Sequence, residues 1–216
     1  MILQDNVLFP NWSQTLPIFA YTFFSRDMLP TDLPEPPRIV KQIHSNQVIC
    51  WDHQPFSPIL QADAFWTTRS NTVCAVQTAD CLPIVITNSQ AGFVATIHAG
   101  WRGLAQKIIT HTLQELPSDT SDFLVWIGPA IGPKHFVVMK DVYEAFSFKP
   151  AFEKIDETHW QCDLIKLAKT ELEENGINPN NISGGSWCTY STPNLPSYRR
   201  DKENAGRMVT FAYKTK

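Results

Sequence analysis

Short β-like runs along most of the chain, only two well-separated stretches of helical period, and a length suited to one core predict an α+β fold. It is a mixed α/β single domain spanning residues 1–216. At 216 residues, with 43% hydrophobic and 18% charged residues, the chain has the material for one sizeable core. Strands and helices do not alternate regularly, so a repeated βαβ architecture is not expected.

The β-like runs cover residues 18–24, 38–43, 48–51, 64–67, 73–77, 84–87 and 93–98. Several mix β-branched and aromatic residues and end at turn formers. Four prolines between Leu29 and Arg38 favour an extended, poorly hydrogen-bonded connection before the second run. Asn88-Ser89-Gln90-Ala91-Gly92 reads as a turn joining two apolar runs, in a hairpin or a tight crossover. The period then changes. Ala105, Ile108, Ile109, Thr112, Leu113 and Leu116 form one stripe of a long helix over 103–116, stopped by Pro117. Residues 123–127 read as a buried strand ended by Gly128-Pro129, and a short helix is expected around 141–146. The second clear helix covers 163–175, with Asp163 as its cap and Gly176 as its stop. Residues 187–190 and 208–213 close the chain as strands.

A net charge of −3 with no basic block leaves no electrostatic footprint for nucleic acid. No stretch approaches the roughly 20 apolar residues that span a bilayer, and the N-terminus lacks the basic start of a secretory signal. The five cysteines are scattered and form no Cys-x-x-Cys pair. That is the pattern of reduced thiols, and it predicts a cytoplasmic protein.

Three residues stand in sharply edged motifs: His44 in Lys-Gln-Ile-His-Ser-Asn-Gln-Val, Cys81 in Gln-Thr-Ala-Asp-Cys-Leu-Pro, and His98 in Ile-His-Ala-Gly-Trp-Arg-Gly. Two imidazoles and a thiolate are a three-ligand set for catalytic zinc that leaves a fourth position for water or substrate. The same cysteine and a histidine could instead serve as nucleophile and base. His98 ends a strand, and Gly100-Trp101-Arg102-Gly103 turns the chain into the helix. An anion is expected at that corner, held by helix amides and the Arg102 fork. Asp80 either orients a ligand histidine or caps the next segment, and Gln77 lies in the same polar run. Adjacent Arg199 and Arg200 either clamp an anionic group or pair with Asp201 and Glu203. Ile127-Gly-Pro-Ala-Ile-Gly-Pro133 reads as a rigid pocket wall.

Taken together, these segments resemble the laccase-domain or multicopper polyphenol oxidase family, whose members are described as purine nucleoside phosphorylases. The resemblance rests on Gln-Ile-His-Ser, Ala-Asp-Ala-Phe-Trp-Thr, Thr-Ala-Asp-Cys-Leu-Pro-Ile, His-Ala-Gly-Trp-Arg-Gly, Ile-Gly-Pro-Ala-Ile-Gly-Pro, Cys-Thr and Ser-Tyr-Arg-Arg-Asp, in the family's order. It implies layered mixed sheets flanked by helices, as in certain cysteine hydrolases, and a zinc site formed by His44, Cys81 and His98. The implied activity is phosphate-dependent cleavage of adenosine, inosine and methylthioadenosine by a monomer or homodimer, with adenosine deamination as a side activity. Arg26, Arg102, Arg199 and Arg200 are the implied anion ligands, Arg26 being carried over from the family's Ser-x-Arg segment. Three segments depart from the family. Arg26 runs straight into Asp-Met-Leu-Pro, Gly-Pro-Lys-His-Phe-Val-Val replaces a Cys-Cys-Tyr segment, and Leu195-Pro196 replaces an aromatic pair. All three bear on substrate access.

A multicopper oxidase needs several histidines beyond a His₂Cys site, commonly in His-x-His pairs. This chain has six histidines and no such pair, although copper could occupy the single site. The other rivals are a Cys-His hydrolase or deamidase with Cys81 as nucleophile, and a non-enzymatic binding module stabilised by metal.

Overall fold

In the computed structural model, which describes residues 2–4 and 7–215, two β-sheets lie face to face with helices over one of them. The first sheet is antiparallel, in the order β1 (Ile2–Gln4), β2 (Val7–Phe9), β3 (Ile18–Phe23), β14 (Met208–Lys214), β6 (Cys74–Thr78). The second is mixed, in the order β13 (Ile182–Gly184), β9 (Phe123–Ile127), β7 (Leu82–Asn88), β8 (Val94–Ala99), β5 (Ala64–Thr67), β4 (Val48–Cys50). Its outer pairs, β13 with β9 and β4 with β5, are parallel, and the pairs between them are antiparallel.

The central strands of the mixed sheet are buried on both faces, which explains their near-continuous apolar runs. One face (Ile84, Ile86, Ala95, Ile97, Val125) packs under α2 (Ile108–Glu115) and α4 (Leu164–Glu174). The other (Phe65, Val85, Val94, Trp126) meets Ile18, Ala20, Cys74, Val76, Met208 and Ala212 of the antiparallel sheet. A small sheet of β10 (Val137–Met139), β12 (His159–Cys162) and β11 (Phe152–Lys154) stands apart from these two.

Strands 64–67 and 123–127 form as the sequence predicts, and the turn at 88–92 closes an antiparallel hairpin between β7 and β8. Asp163 caps α4 by accepting from the Lys166 amide at 2.9 Å, and Gly176 ends that helix at φ 86°. The short helix expected near 141 forms as α3 (Lys140–Glu144).

Three expectations are corrected. The helix over 103–116 is two helices, α1 (Trp101–Ala105) and α2, broken where Lys107 takes a left-handed φ of 63°. Residues 38–43 form isolated bridges at Arg38 and Lys41 and no strand, because the Gln42 side chain takes over the pairing. It donates to Gln77 O (2.8 Å) and accepts from Gln77 N (2.7 Å). Residues 187–190 make one bridge, at Cys188, and then turn, the carbonyls of Thr189 and Tyr190 taken up by the Arg200 guanidinium.

Candidate metal centre

The two sheets meet where β6 ends and the chain crosses to β7, and Cys81 occupies that crossing. His98 lies near the end of β8, opposite Pro83 of β7, and alternation turns it away from the helix-facing Ile97 and Ala99. His44 arrives from the turn before β4, at φ 58°. Three segments distant in sequence thus bring one ligand atom each to within 4.8 Å of the others. Cys81 Sγ lies 3.9 Å from His44 Nε2, and the two imidazoles meet edge to face at 4.7 Å. Gly100 leaves room for them: a Cβ there would stand 2.9 Å from Cys81 Sγ and 3.1 Å from His44 Cδ2.

Asp63 holds both histidines. Fully buried, its carboxylate accepts from His98 Nδ1 (2.8 Å), the amides of Ile43 (3.3 Å), His44 (3.0 Å) and Ser45 (2.7 Å), and Ser45 Oγ (2.7 Å). It therefore fixes the strained His44 turn and directs His98 Nε2 toward the cysteine. Burial acts to raise the Asp63 carboxyl, but these donors outweigh it and hold the group below its ordinary range. Burial likewise pushes the Cys81 thiol up, yet the facing His98 charge and hydrogen bonds from both imidazoles bring it well below the usual thiol value. His98 shifts the opposite way: burial lowers it, and the Cys81 thiolate with Asp63 more than compensates. The two shifts share one cause, the mutual attraction of the Cys81 sulfur and the His98 ring.

The centre opens into a cavity of about 700 Å³. Gln77, Asp80, Arg102 and Arg199 line it, as do Ile131 of the Gly-Pro wall and, beyond the sequence-derived candidates, Lys41, Trp101, Phe136, Tyr198 and Arg207. Asp80 does not orient a ligand histidine. Its carboxylate accepts from Thr189 Oγ1 and the Arg199 amide, both at 2.6 Å, and so ties the cysteine loop to two segments of the pocket wall. Asp63 takes the orienting role; its motif, Ala-Asp-Ala-Phe-Trp-Thr, carried the only sequence signal for it. Arg102 stacks on Trp101 at 4.5 Å, and Arg199 lies over Phe136 at 5.3 Å while donating to the carbonyls of His135 and Val137. Two of the four arginines do not line the cavity. Arg200 spends its guanidinium on Asp201 and the carbonyls of Thr189, Tyr190, Thr192 and Leu195, while Arg26 sits exposed in a 3₁₀ turn outside the lining. Because α1 has five residues, Arg102 and not a long helix terminus supplies the positive charge at that corner.

The donor set fits a metal. Tetrahedral zinc separates nitrogen and sulfur ligands by about 3.3–3.6 Å, so the 3.9 Å between Cys81 Sγ and His44 Nε2 needs only a small contraction, within a cluster whose ligand atoms all lie inside 4.8 Å. A thiolate, an imidazole whose far nitrogen is held by a carboxylate, and room for a fourth ligand complete the requirement. The multi-copper polyphenol oxidoreductase laccase family matches residues 27–215. The chain belongs to that family. The family is also evident in a Haemophilus influenzae purine nucleoside phosphorylase, 39% identical over 84% of this chain and 75% of the relative. The Escherichia coli purine nucleoside phosphorylase YfiH is 37% identical over the same shares. Among solved structures, a Neisseria meningitidis protein superposes with TM-score 0.77 at 32% identity, covering 84% of this chain and 76% of that one. Bacillus licheniformis YfiH, at 23% identity, shares the fold with TM-score 0.81 over 95% and 94%.

Proposed function

We propose that this protein is a zinc-dependent purine nucleoside phosphorylase that cleaves adenosine, inosine and methylthioadenosine, with adenosine deamination as a side activity. The observation that carries the reading is the His44–Cys81–His98 cluster opening onto a pocket lined by both guanidinium groups and aromatic rings. The relatives named purine nucleoside phosphorylase support it. In phosphorolysis a phosphate oxygen bonds to the anomeric carbon, the glycosidic C–N bond breaks, and the base departs with a proton. Arg102, with no ion-pair partner among the described residues, suits the phosphate, and Arg199 adds a second guanidinium edge. Trp101, Phe136 and Tyr198 offer flat surfaces for a purine. Holding both reactants in one cavity supplies much of the rate enhancement. Zinc held by His44, Cys81 and His98 would supply a Lewis acid and, for deamination, an activated water. The same reading places a monomeric or homodimeric enzyme in the cytoplasm.

The test is chromatographic product analysis of metal-assayed protein given adenosine, with and without phosphate, beside Cys81→Ala. Phosphate-dependent adenine that disappears in the variant is expected, and inosine would add deamination. No purine product from folded, zinc-loaded protein overturns the reading.

A second reading has its own observation. Cys81, His98 and Asp63 also line up as thiol, imidazole and carboxylate, the arrangement of a cysteine hydrolase. Thiol alkylation that abolishes turnover while chelation spares it would favour that chemistry. Multicopper oxidation is not supported by the donor set. Among the described residues one cluster of metal-ligand type forms, and His111, His135 and His159 are spent on Asn46, Tyr190 and Asp156.

A further inference from the structure

The pocket is more positive than one phosphate requires. Lys41, Arg102, Arg199 and Arg207 line it, whereas Asp80 is its single lining carboxylate and is already satisfied by two 2.6 Å donors. None of the four cations forms an ion pair among the described residues. This concentration of positive charge occurs in a chain of net charge −3, so it is a local feature and not an overall bias. Inorganic phosphate carries at most about two negative charges near neutral pH, which leaves positive charge uncompensated in a concave site that focuses the field.

The four cations also divide by position. Arg102 and Arg199 stack on aromatic lining residues, and Arg102 follows Gly100, which abuts the Cys81 sulfur. Lys41 and Arg207 instead flank the end of β6. Gln42 is locked to Gln77 by two hydrogen bonds, and the Lys41 backbone is held by Leu60 and Ala62, so Lys41 projects from a fixed segment on one side. On the other side Met208 pairs with Thr78, which puts Arg207 at the same strand end.

We propose that Lys41 and Arg207 form a second anion subsite, which takes the phosphoryl group of a purine nucleoside 5′-monophosphate. This deepens the nucleoside reading of the pocket and rests on it. A cavity of about 700 Å³ is within the range for a ligand of nucleotide size. The subsite gives the protein a phosphorylated ligand, competing with the neutral nucleoside for the same cavity.

Titration calorimetry of zinc-loaded protein with adenosine 5′-monophosphate and with adenosine tests this, each with and without saturating inorganic phosphate. The variants are Lys41→Met, Arg207→Met, the double variant, and Lys154→Met, an exposed lysine outside the cavity, as a charge control. Circular dichroism checks that each is folded. The monophosphate is expected to bind at least tenfold more tightly than adenosine, with inorganic phosphate present as well as absent. The double variant should lower that preference at least tenfold, and Lys154→Met should leave it in place. The proposal is overturned if the monophosphate has no advantage, if saturating phosphate removes it, or if the control loses it equally. If adenosine is neither bound nor cleaved while monophosphate binding depends on Lys41 and Arg207, the phosphorylase reading fails and the anion subsite stands.

Discussion

Gly100 and Asp63 shape the centre without being ligands. At Gly100 the backbone φ of −77° suits any residue, so the constraint is space alone. Gly100→Ala is therefore expected to fold normally, while its methyl group pushes Cys81 and His44 apart and lowers zinc affinity at least tenfold, as read by competition with a chromophoric chelator. Asp63→Asn keeps the size but replaces one acceptor oxygen with a donor facing other donors. It should cost about 2–3 kcal/mol of stability in urea unfolding and about 10–100-fold in metal affinity. Because the Asp63 carboxyl lies below its ordinary range in the folded state, its contribution is fully present above the unfolded value and is lost as pH falls through the folded one. The stability gap between wild type and Asp63→Asn should accordingly narrow in acid, and a gap constant from pH 7 to pH 3 would refute the assignment.

At the scale of elements, the break between α1 and α2 is a local choice with a measurable cost. Lys107 adopts the left-handed conformation with a side chain, and its ion pair with Glu174 spans 3.9 Å at the surface. Lys107→Gly should be neutral or stabilising by up to about 1 kcal/mol, and Lys107→Val clearly destabilising, in chemical denaturation. Where α2 meets α4, buried Glu171 accepts from Thr110 N and Oγ1, both at 2.9 Å. Burial raises its carboxyl above the ordinary value, more than those two bonds lower it. The folded state then holds its proton more firmly than the unfolded one, so stability falls as pH rises between the two values. Glu171→Gln retains an acceptor for Thr110 without burying a charge. It should match wild type at pH 4 and equal or exceed its thermal midpoint at pH 7.

At the scale of the molecule, the centre ties the turn before β4 and the end of β8, in the mixed sheet, to the crossing from the antiparallel sheet. Metal removal should loosen that junction without dissolving the two cores on either side of the mixed sheet. A ligand at 100 times its Kd stabilises by about 2.7 kcal/mol, which for a domain of this size corresponds to a Tm shift of about 5–10 °C. Chelation is expected to lower Tm by that amount with far-ultraviolet dichroism retained. Complete unfolding on chelation would instead mark the site as structural.

The parts of this protein readable from sequence are those set by local chemistry. Continuous runs of β-branched and aromatic residues bounded by turn formers located the central strands, which are buried on both faces, and a period of 3.6 located α4, which buries one. The His44, Cys81 and His98 motifs were legible because few residue types ligate metals. Strands of three residues, such as β10, β11 and β13, are too short to show a period and exist through their partners. Proximity decided the rest. Asp63 orients His98 only because β5 and β8 are paired, placing Ala64 opposite Ile97. Arg200 is removed from the pocket because a loop without strand partners needs its guanidinium to satisfy backbone carbonyls. Lys41 and Arg207, 166 positions apart in sequence, become neighbours of one strand end through the pairing of β14 with β6. Long-range pairing of this kind depends on the whole packed chain, so no local window contains it.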